Sequence, residues 1–150
     1  MSLCELSAYY KNKGISVYAQ MQNIYKKYGY YLEDQYTITI KGAEGAIKIK
    51  EIMEKIRNNQ PREIGKHKII SIYDYQQKTY KNLSTGEEKT TELPKSNVIY
   101  YELEDDNWCC IRPSGTEPKI KMYFGIKANS NEEAQKELEE LKNEMITICQ

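Results

Sequence analysis

The chain has 150 residues, of which 39% are hydrophobic and 29% are charged, and its mean hydropathy is −0.79. That length suits one ordinary domain, or one domain with a remnant of another. Because 22 basic residues balance 22 acidic ones, the formal net charge is zero, which excludes a general electrostatic attraction to nucleic acid or to an anionic membrane.

The cysteines and the N-terminus predict a cytoplasmic chain. Cys109 and Cys110 are neighbours on a predicted strand and face opposite sides, so they do not pair easily. With Cys4 and Cys149 they are interpreted as free thiols in a reducing compartment, because no CxxC metal spacing occurs. The N-terminus lacks the apolar core of a signal peptide, and no run of residues reaches transmembrane length.

The first part of the chain predicts a pair of helices. Apolar residues at helical spacing indicate one helix that ends before Gly14 and a second that runs from Ser16 to Gly29. This pair has an apolar face but too little chain around it to form a core. We therefore interpret residues 1–35 as the helical end of a preceding domain and residues 36–150 as a separate C-terminal domain.

From residue 36 onward, the order of predicted elements is typical of an α+β domain. Alternating apolar and β-branched residues predict strands, which span residues 36–40, 68–75, 97–103, 108–112 and 119–126, with a polar two-stranded excursion within 79–91. One helix closes at Asn58-Asn59, and the last begins at the capping box Ser130-Asn131-Glu132-Glu133. Helices at both ends of a run of hairpin-connected strands predict a mainly antiparallel sheet with helices packed on one face.

The strongest functional signal is the segment Arg112-Pro113-Ser114-Gly115-Thr116-Glu117-Pro118-Lys119. Two prolines and a glycine exclude a helix or a central strand, so the segment is predicted to be a rigid loop between two strands. Arginine offers a planar fork of donors, serine and threonine offer short donors, and glycine lets the backbone approach a ligand closely. This set suits an oxyanion, and phosphate above all.

The other candidate sites are weaker. His67 is the only histidine and is interpreted as a surface or hydrogen-bonded residue, and no Ser-His-Asp set can be assembled. The carboxylates of Glu102, Glu104, Asp105 and Asp106 suit either a divalent cation or, preferably, a solvated turn. The sequence therefore predicts no catalytic residue and no metal ligand in this chain. The fourteen tyrosines are attributed to packing.

The segment WCCIRPSGTEPKIKMYF, Trp108 to Phe124, closely resembles the phosphate-binding loop in the C-terminal, fourth domain of the α-D-phosphohexomutases, with bacterial α-phosphoglucomutase the most similar branch. Tyr28-Gly29-Tyr30-Tyr31 and Lys41-Gly42-Ala43-Glu44-Gly45 support the resemblance. It implies a TBP-like α+β fold, and a parent enzyme that interconverts sugar 1-phosphates and 6-phosphates through a bisphosphorylated sugar. The family's phosphoserine, its DGDxDR-type metal loop and its GExSGH-type sugar loop do not occur here.

The resemblance also implies roles for the loop residues. Arg112, Ser114, Gly115 and Thr116 match the phosphate-binding positions, and Lys119 is a plausible fifth member. Glu117 would repel phosphate, so we expect it to point away and to orient Arg112 or Lys119. The implied partners are a phosphorylated hexose and three preceding domains, with no nucleic acid and no membrane. Magnesium and a sugar bisphosphate activator are implied for the parent enzyme and no cofactor for this fragment, which is expected to be inactive alone.

An alternative function is a stand-alone module that binds phosphate, a phosphorylated partner or nucleic acid. The loop and the tyrosines motivate this alternative, whereas the zero net charge and the lack of a basic stripe argue against it.

Overall fold

The computed structural model describes residues 2–42 and 44–150, so Ala43, in one of the segments named above, lies outside the described residues. Within them, four helices and eight strands follow the order α1-α2-β1-α3-β2-β3-β4-β5-β6-β7-β8-α4. The helices are α1 (Leu3–Asn12), α2 (Val17–Tyr28), α3 (Gly45–Asn58) and α4 (Asn131–Ile148). The strands are β1 (Tyr30–Thr39), β2 (Glu63–Ile64), β3 (His67–Asp74), β4 (Thr79–Asn82), β5 (Glu88–Thr90), β6 (Ile99–Leu103), β7 (Trp108–Pro113) and β8 (Lys119–Ala128).

All strand pairs in the sheet are antiparallel, in the spatial order β1-β8-β7-β6-β3-β4-β5, with β2 paired to β3. Alternate residues of β8, among them Met122 and Phe124, are fully buried on the face that α3 and α4 cover. The helices contribute side chains at helical spacing, such as Met53 of α3 and Leu141 of α4, to the same core. The predicted α+β class, with helices on one face of an antiparallel sheet, is confirmed.

The opposite face of the sheet carries a run of half-buried aromatic side chains. Tyr100 stacks against Trp108 with ring centroids 5.8 Å apart, and Tyr73 packs edge-on against Tyr100 at the same centroid distance. The Tyr73 hydroxyl donates to Glu102 over 3.1 Å. Burial, together with the Glu102 carboxylate, raises the pKa of Tyr73 to about 12, so that hydroxyl stays protonated at neutral pH. Several of the tyrosines thus pack against one another, as predicted.

Two features of the sheet differ from the sequence prediction. Strand β1 begins at Tyr30 rather than at residue 36, because it pairs with β8 over its whole length, from Tyr30 opposite Ala128 to Thr39 opposite Lys119. It therefore runs across the predicted boundary at residue 35, and residues 30–35 belong to the sheet. Strand β2 was not predicted, since two residues carry no periodicity; it exists through its pairing with β3.

The N-terminal helices lie outside the core. Neither α1 nor α2 contains a buried residue, and apolar side chains such as Leu3, Tyr18 and Met21 are exposed. No helix in the described part of the chain combines the length and the apolar character needed to cross a membrane.

Candidate anion-binding site

The predicted loop connects β7 to β8 and is held by backbone hydrogen bonds. The Ser114 amide donates to the Lys119 carbonyl over 2.8 Å, and the Lys119 amide donates to the Glu117 carbonyl over the same distance. From outside the hairpin, the Ile40 amide donates to the Pro118 carbonyl over 3.0 Å. The two prolines restrict the loop backbone as well.

Three cationic side chains lie on one face of the sheet where this loop begins and ends. Arg112 of β7 is directly opposite Lys121 of β8, and such partners share a face. Lys119 is two residues from Lys121 on the same strand, so it lies on that face too. The neighbours Ile111 and Met122 are buried on the helix side, so the cations are on the side away from the helices.

Arg112 and Lys121 have no acidic partner among the ion pairs of the described residues. Like charges directly opposite each other on a sheet are destabilising. An anion bound between them would remove this repulsion and accept charge-assisted hydrogen bonds from both.

The loop beside these cations offers further donors. Gly115 and Thr116 are exposed and Ser114 is half-buried. No hydrogen bond among the described residues uses the Ser114 or Thr116 hydroxyl or the Gly115 amide. These three groups remain available for an anion, and they belong to the loop that begins at Arg112.

Lys119 is already paired within the loop. Its ammonium lies 3.0 Å from Oε1 of Glu117, which accepts a hydrogen bond from it. Glu117 therefore orients Lys119, one of the two roles expected for it. Because Glu117 neutralises much of the Lys119 charge, Lys121 is the stronger second cation. Sequence reasoning missed Lys121, although its place two residues after Lys119 in an alternating strand was a usable signal.

The base of the loop packs against the start of α3. A Cβ atom added at Gly45 would overlap the Ile40 carbonyl oxygen and would lie 3.0 Å from Cβ of Pro118. Glycine at this position thus allows the helix to approach the loop. By contrast, a Cβ atom added at Gly115 would have no neighbour within 4 Å.

These two glycines give contrasting predictions. We expect Gly45→Ala to lower the free energy of unfolding by about 1–3 kcal/mol, because a fixed backbone oxygen must move. Gly115→Ala should change it by less than about 0.5 kcal/mol, yet should weaken phosphate binding because the methyl group occupies space beside the donors. Urea denaturation and phosphate titration of both variants measure the two effects. Equal stability of the two variants would contradict the packing role of Gly45.

The remaining candidates do not contribute to this site. His67 is buried rather than at the surface, because it shares the buried face of β3 with Ile69, and its Nε2 has no hydrogen-bond partner among the described residues. Burial lowers its pKa and so keeps the ring neutral near pH 7. The cluster Glu104–Asp106 forms a 3₁₀ turn at the other end of the sheet. In the described part of the chain, no three His, Cys, Asp or Glu side chains converge as metal ligands would.

A cavity of about 990 Å³ also lies at that other end, between α2 and the 3₁₀ turn. None of the loop residues line this cavity, so it is not a candidate for the anion site. A second cavity, of about 620 Å³, lies between the loop and α3. It is on the helix side of the sheet, behind the loop as seen from the cations.

Comparison with known proteins identifies the domain that contains this loop. Residues 80–145 match the model of the phosphoglucomutase/phosphomannomutase C-terminal domain. The chain is 34% identical over 134 residues to a phosphoglucomutase of Staphylococcus saprophyticus, covering 87% of this chain and 24% of that protein. It is 39% identical over 118 residues to a phosphoglucomutase of Staphylococcus aureus, covering 78% of this chain and 21% of that protein.

A solved structure has the same fold. The open form of the exocytosis-sensitive phosphoprotein pp63/parafusin, a phosphoglucomutase of Paramecium, superposes with a TM-score of 0.54 at 17% identity, over 93% of this chain and 24% of that one. The chain thus spans about a quarter of the length of the relatives it matches. Residues 80–145 thus carry the C-terminal domain of the phosphoglucomutase/phosphomannomutase family, and the bacterial relatives extend the similarity over most of this chain.

Proposed function

We propose that the chain is the substrate-phosphate-binding domain of a phosphohexomutase, an isomerase of carbohydrate metabolism that interconverts hexose 1-phosphate and hexose 6-phosphate through a bisphosphorylated sugar. The observation that carries the proposal is the pair Arg112 and Lys121, which have no acidic partner in the described residues and lie beside unengaged donors of the loop. That arrangement suits a dianionic phosphate.

The loop would hold the phosphate group that is not reacting. Binding energy gained there orients the sugar while its other end meets the reacting group, which accelerates a step that occurs elsewhere. Because the bisphosphorylated intermediate must be bound in two orientations, the anchor has to accept either phosphate. Donors that contact only phosphate oxygens, such as Arg112, Ser114 and Thr116, meet that requirement.

The reaction itself would need other domains, which we propose precede this one. Within residues 1–35, we interpret the helical part, α1 and α2, as the end of the preceding domain, since residues 30–35 belong to the sheet. The exposed apolar side chains of α1 and α2 support this interpretation because they need a packing partner. The described residues offer no converging ligands for Mg²⁺, so a metal ion, like the sugar bisphosphate activator, would bind to those domains. We propose a cytoplasmic location, because the four cysteines are all free thiols.

The proposal is tested by titrating glucose 1-phosphate into the ¹⁵N-labelled chain and following the backbone amides. We expect shifts at residues 112–119 and at Lys121, with glucose as the unphosphorylated control. No shift at millimolar glucose 1-phosphate, with the loop amides visible, would contradict the proposal. A higher, salt-dependent affinity for RNA or for a phosphopeptide would instead favour a stand-alone binding module.

A further inference from the structure

The cavity behind the loop is lined by loop residues, by α3 and by polar side chains from other parts of the chain. The loop contributes Pro113, Ser114, Glu117 and Pro118. The polar side chains come from three separate parts of the chain, namely Arg57 on α3, Gln76 and Gln77 after β3, and Asn97 before β6. Contacts that hold these three parts together therefore determine the shape of the cavity beside the loop.

Arg57 connects all three parts. Its Nε donates to Oδ2 of Asp74 over 2.9 Å, and its Nη2 donates to Oδ1 of Asn97. Asp74 accepts two more hydrogen bonds at Oδ1, from the amides of Gln76 (2.9 Å) and Gln77 (3.2 Å). The Asp74 side chain is fully buried and that of Arg57 is 8% exposed, so this ion pair is largely screened from water.

Asn97 lies on the wall of the cavity that the loop also lines. It precedes Ile99 by two residues, and Ile99 pairs with Ile111 of β7, one residue before Arg112. The pairing of β6 with β7 ends there, and the chain bends before it, since the Val98 amide donates to the Ser96 carbonyl over 2.9 Å. Asn97 and Pro113, the residue that leads into the loop, both line the cavity. The guanidinium group thus links the buried carboxylate of Asp74 to the segment that enters β6, the strand beside β7.

We propose that Arg57 is a positioning residue for the phosphate-binding loop, acting through Asp74 and Asn97 on the start of the loop without contacting the substrate. Only arginine suits this task, because its planar fork reaches two acceptors at once, whereas a lysine ammonium would act as a single point charge. The part of the proposal that concerns affinity rests on the proposed function, while the part that concerns loop conformation does not.

The test uses hydrogen exchange and glucose 1-phosphate titration on the wild-type chain and on Arg57→Gln, Arg57→Lys and Asn97→Ala. We expect the Ser114 amide to exchange roughly tenfold faster in all three variants, and the affinity for glucose 1-phosphate to fall by a similar factor, the order expected for groups coupled in one network. The Lys127 amide, bonded to Asn107 at 2.7 Å at the other end of the sheet, is the remote reporter and should be unchanged.

Glu54→Gln is the matched control, because Glu54 lines the same cavity on the same helix but pairs with Lys50. Asn97→Ala keeps the buried ion pair, so it tests the proposal even if Arg57→Gln fails to fold. Unchanged Ser114 exchange in folded variants would overturn the proposal, and so would equal acceleration at Ser114 and Lys127. Wild-type affinity despite faster loop exchange would overturn it as well. If the wild-type chain does not bind glucose 1-phosphate, the proposed function fails, while the exchange rates still decide the positioning role.

Discussion

Replacing Arg112 with alanine is expected to weaken the binding of glucose 1-phosphate by roughly ten- to a hundredfold, since charge-assisted hydrogen bonds contribute about 1.5–3 kcal/mol. Arg112 is exposed and takes part in no ion pair among the described residues, so its removal should leave the fold intact. Titration followed by NMR measures the affinity, and urea denaturation checks the stability. Arg112→Lys should restore part of the affinity, because it keeps the charge but loses the fork.

Arg62 provides the control for this experiment. It is also an exposed arginine, but it precedes β2, far along the sheet from the loop. Arg62→Ala should bind glucose 1-phosphate as the wild-type chain does. In a complete phosphohexomutase that carries this domain, Arg112→Ala should raise KM and also lower kcat, because the anchor serves the transition state as well. An unchanged kcat/KM would contradict the anchoring role.

Replacing Asp74 with alanine should have the largest effect on stability, a loss of about 3–5 kcal/mol in the free energy of unfolding. The substitution leaves the Arg57 guanidinium buried without its counter-charge and removes the acceptor of the Gln76 and Gln77 amides. Urea denaturation followed by far-UV circular dichroism measures the change. Asp74→Asn should be less harmful, because an amide oxygen still accepts those backbone hydrogen bonds.

Asp34 is the matched control for Asp74. It is also an aspartate on a strand of the sheet and it pairs with Lys142 at 3.4 Å, but its side chain is 43% exposed. Exposed ion pairs contribute little to stability, so Asp34→Ala should unfold at nearly the same urea concentration as the wild-type chain. Equal free energies of unfolding for Asp74→Ala and Asp34→Ala would contradict the stabilising role of the buried ion pair.

Local patterns in the sequence predicted most of the elements correctly. The prolines and the glycine of residues 112–119 indicated the loop, and the alternation on either side indicated its two strands. Ser130 was identified as the cap of α4, and its hydroxyl accepts from the Glu133 amide over 3.1 Å. The carboxylate of Glu133 reaches one residue further back than a capping box requires, to the Asn129 amide. These features depend on residues within a few positions of one another, so the sequence alone reveals them.

The neighbours of the site depend on contacts that no local pattern encodes. Lys121 becomes a partner of Arg112 through the register of the β7–β8 hairpin, and that register also decides which face both side chains share. Arg57 meets Asp74 and Asn97 only because α3 packs across the sheet and brings together residues 17 and 40 positions apart. His67 is buried because β3 places it with Ile69 on the face that packs into the core.

The helices, the strands and the chemistry of the loop could be predicted from the amino-acid sequence, because capping, periodicity and proline geometry act over a few residues. The sequence also carried the likeness to the phosphohexomutases. Which cations lie together, and which of them have no acidic partner among the described residues, became clear from the fold, since strand register and helix packing join distant residues. The Lys119 ammonium shows the difference: its position beside the loop was evident from the sequence, whereas its pairing with Glu117 depends on the folded loop.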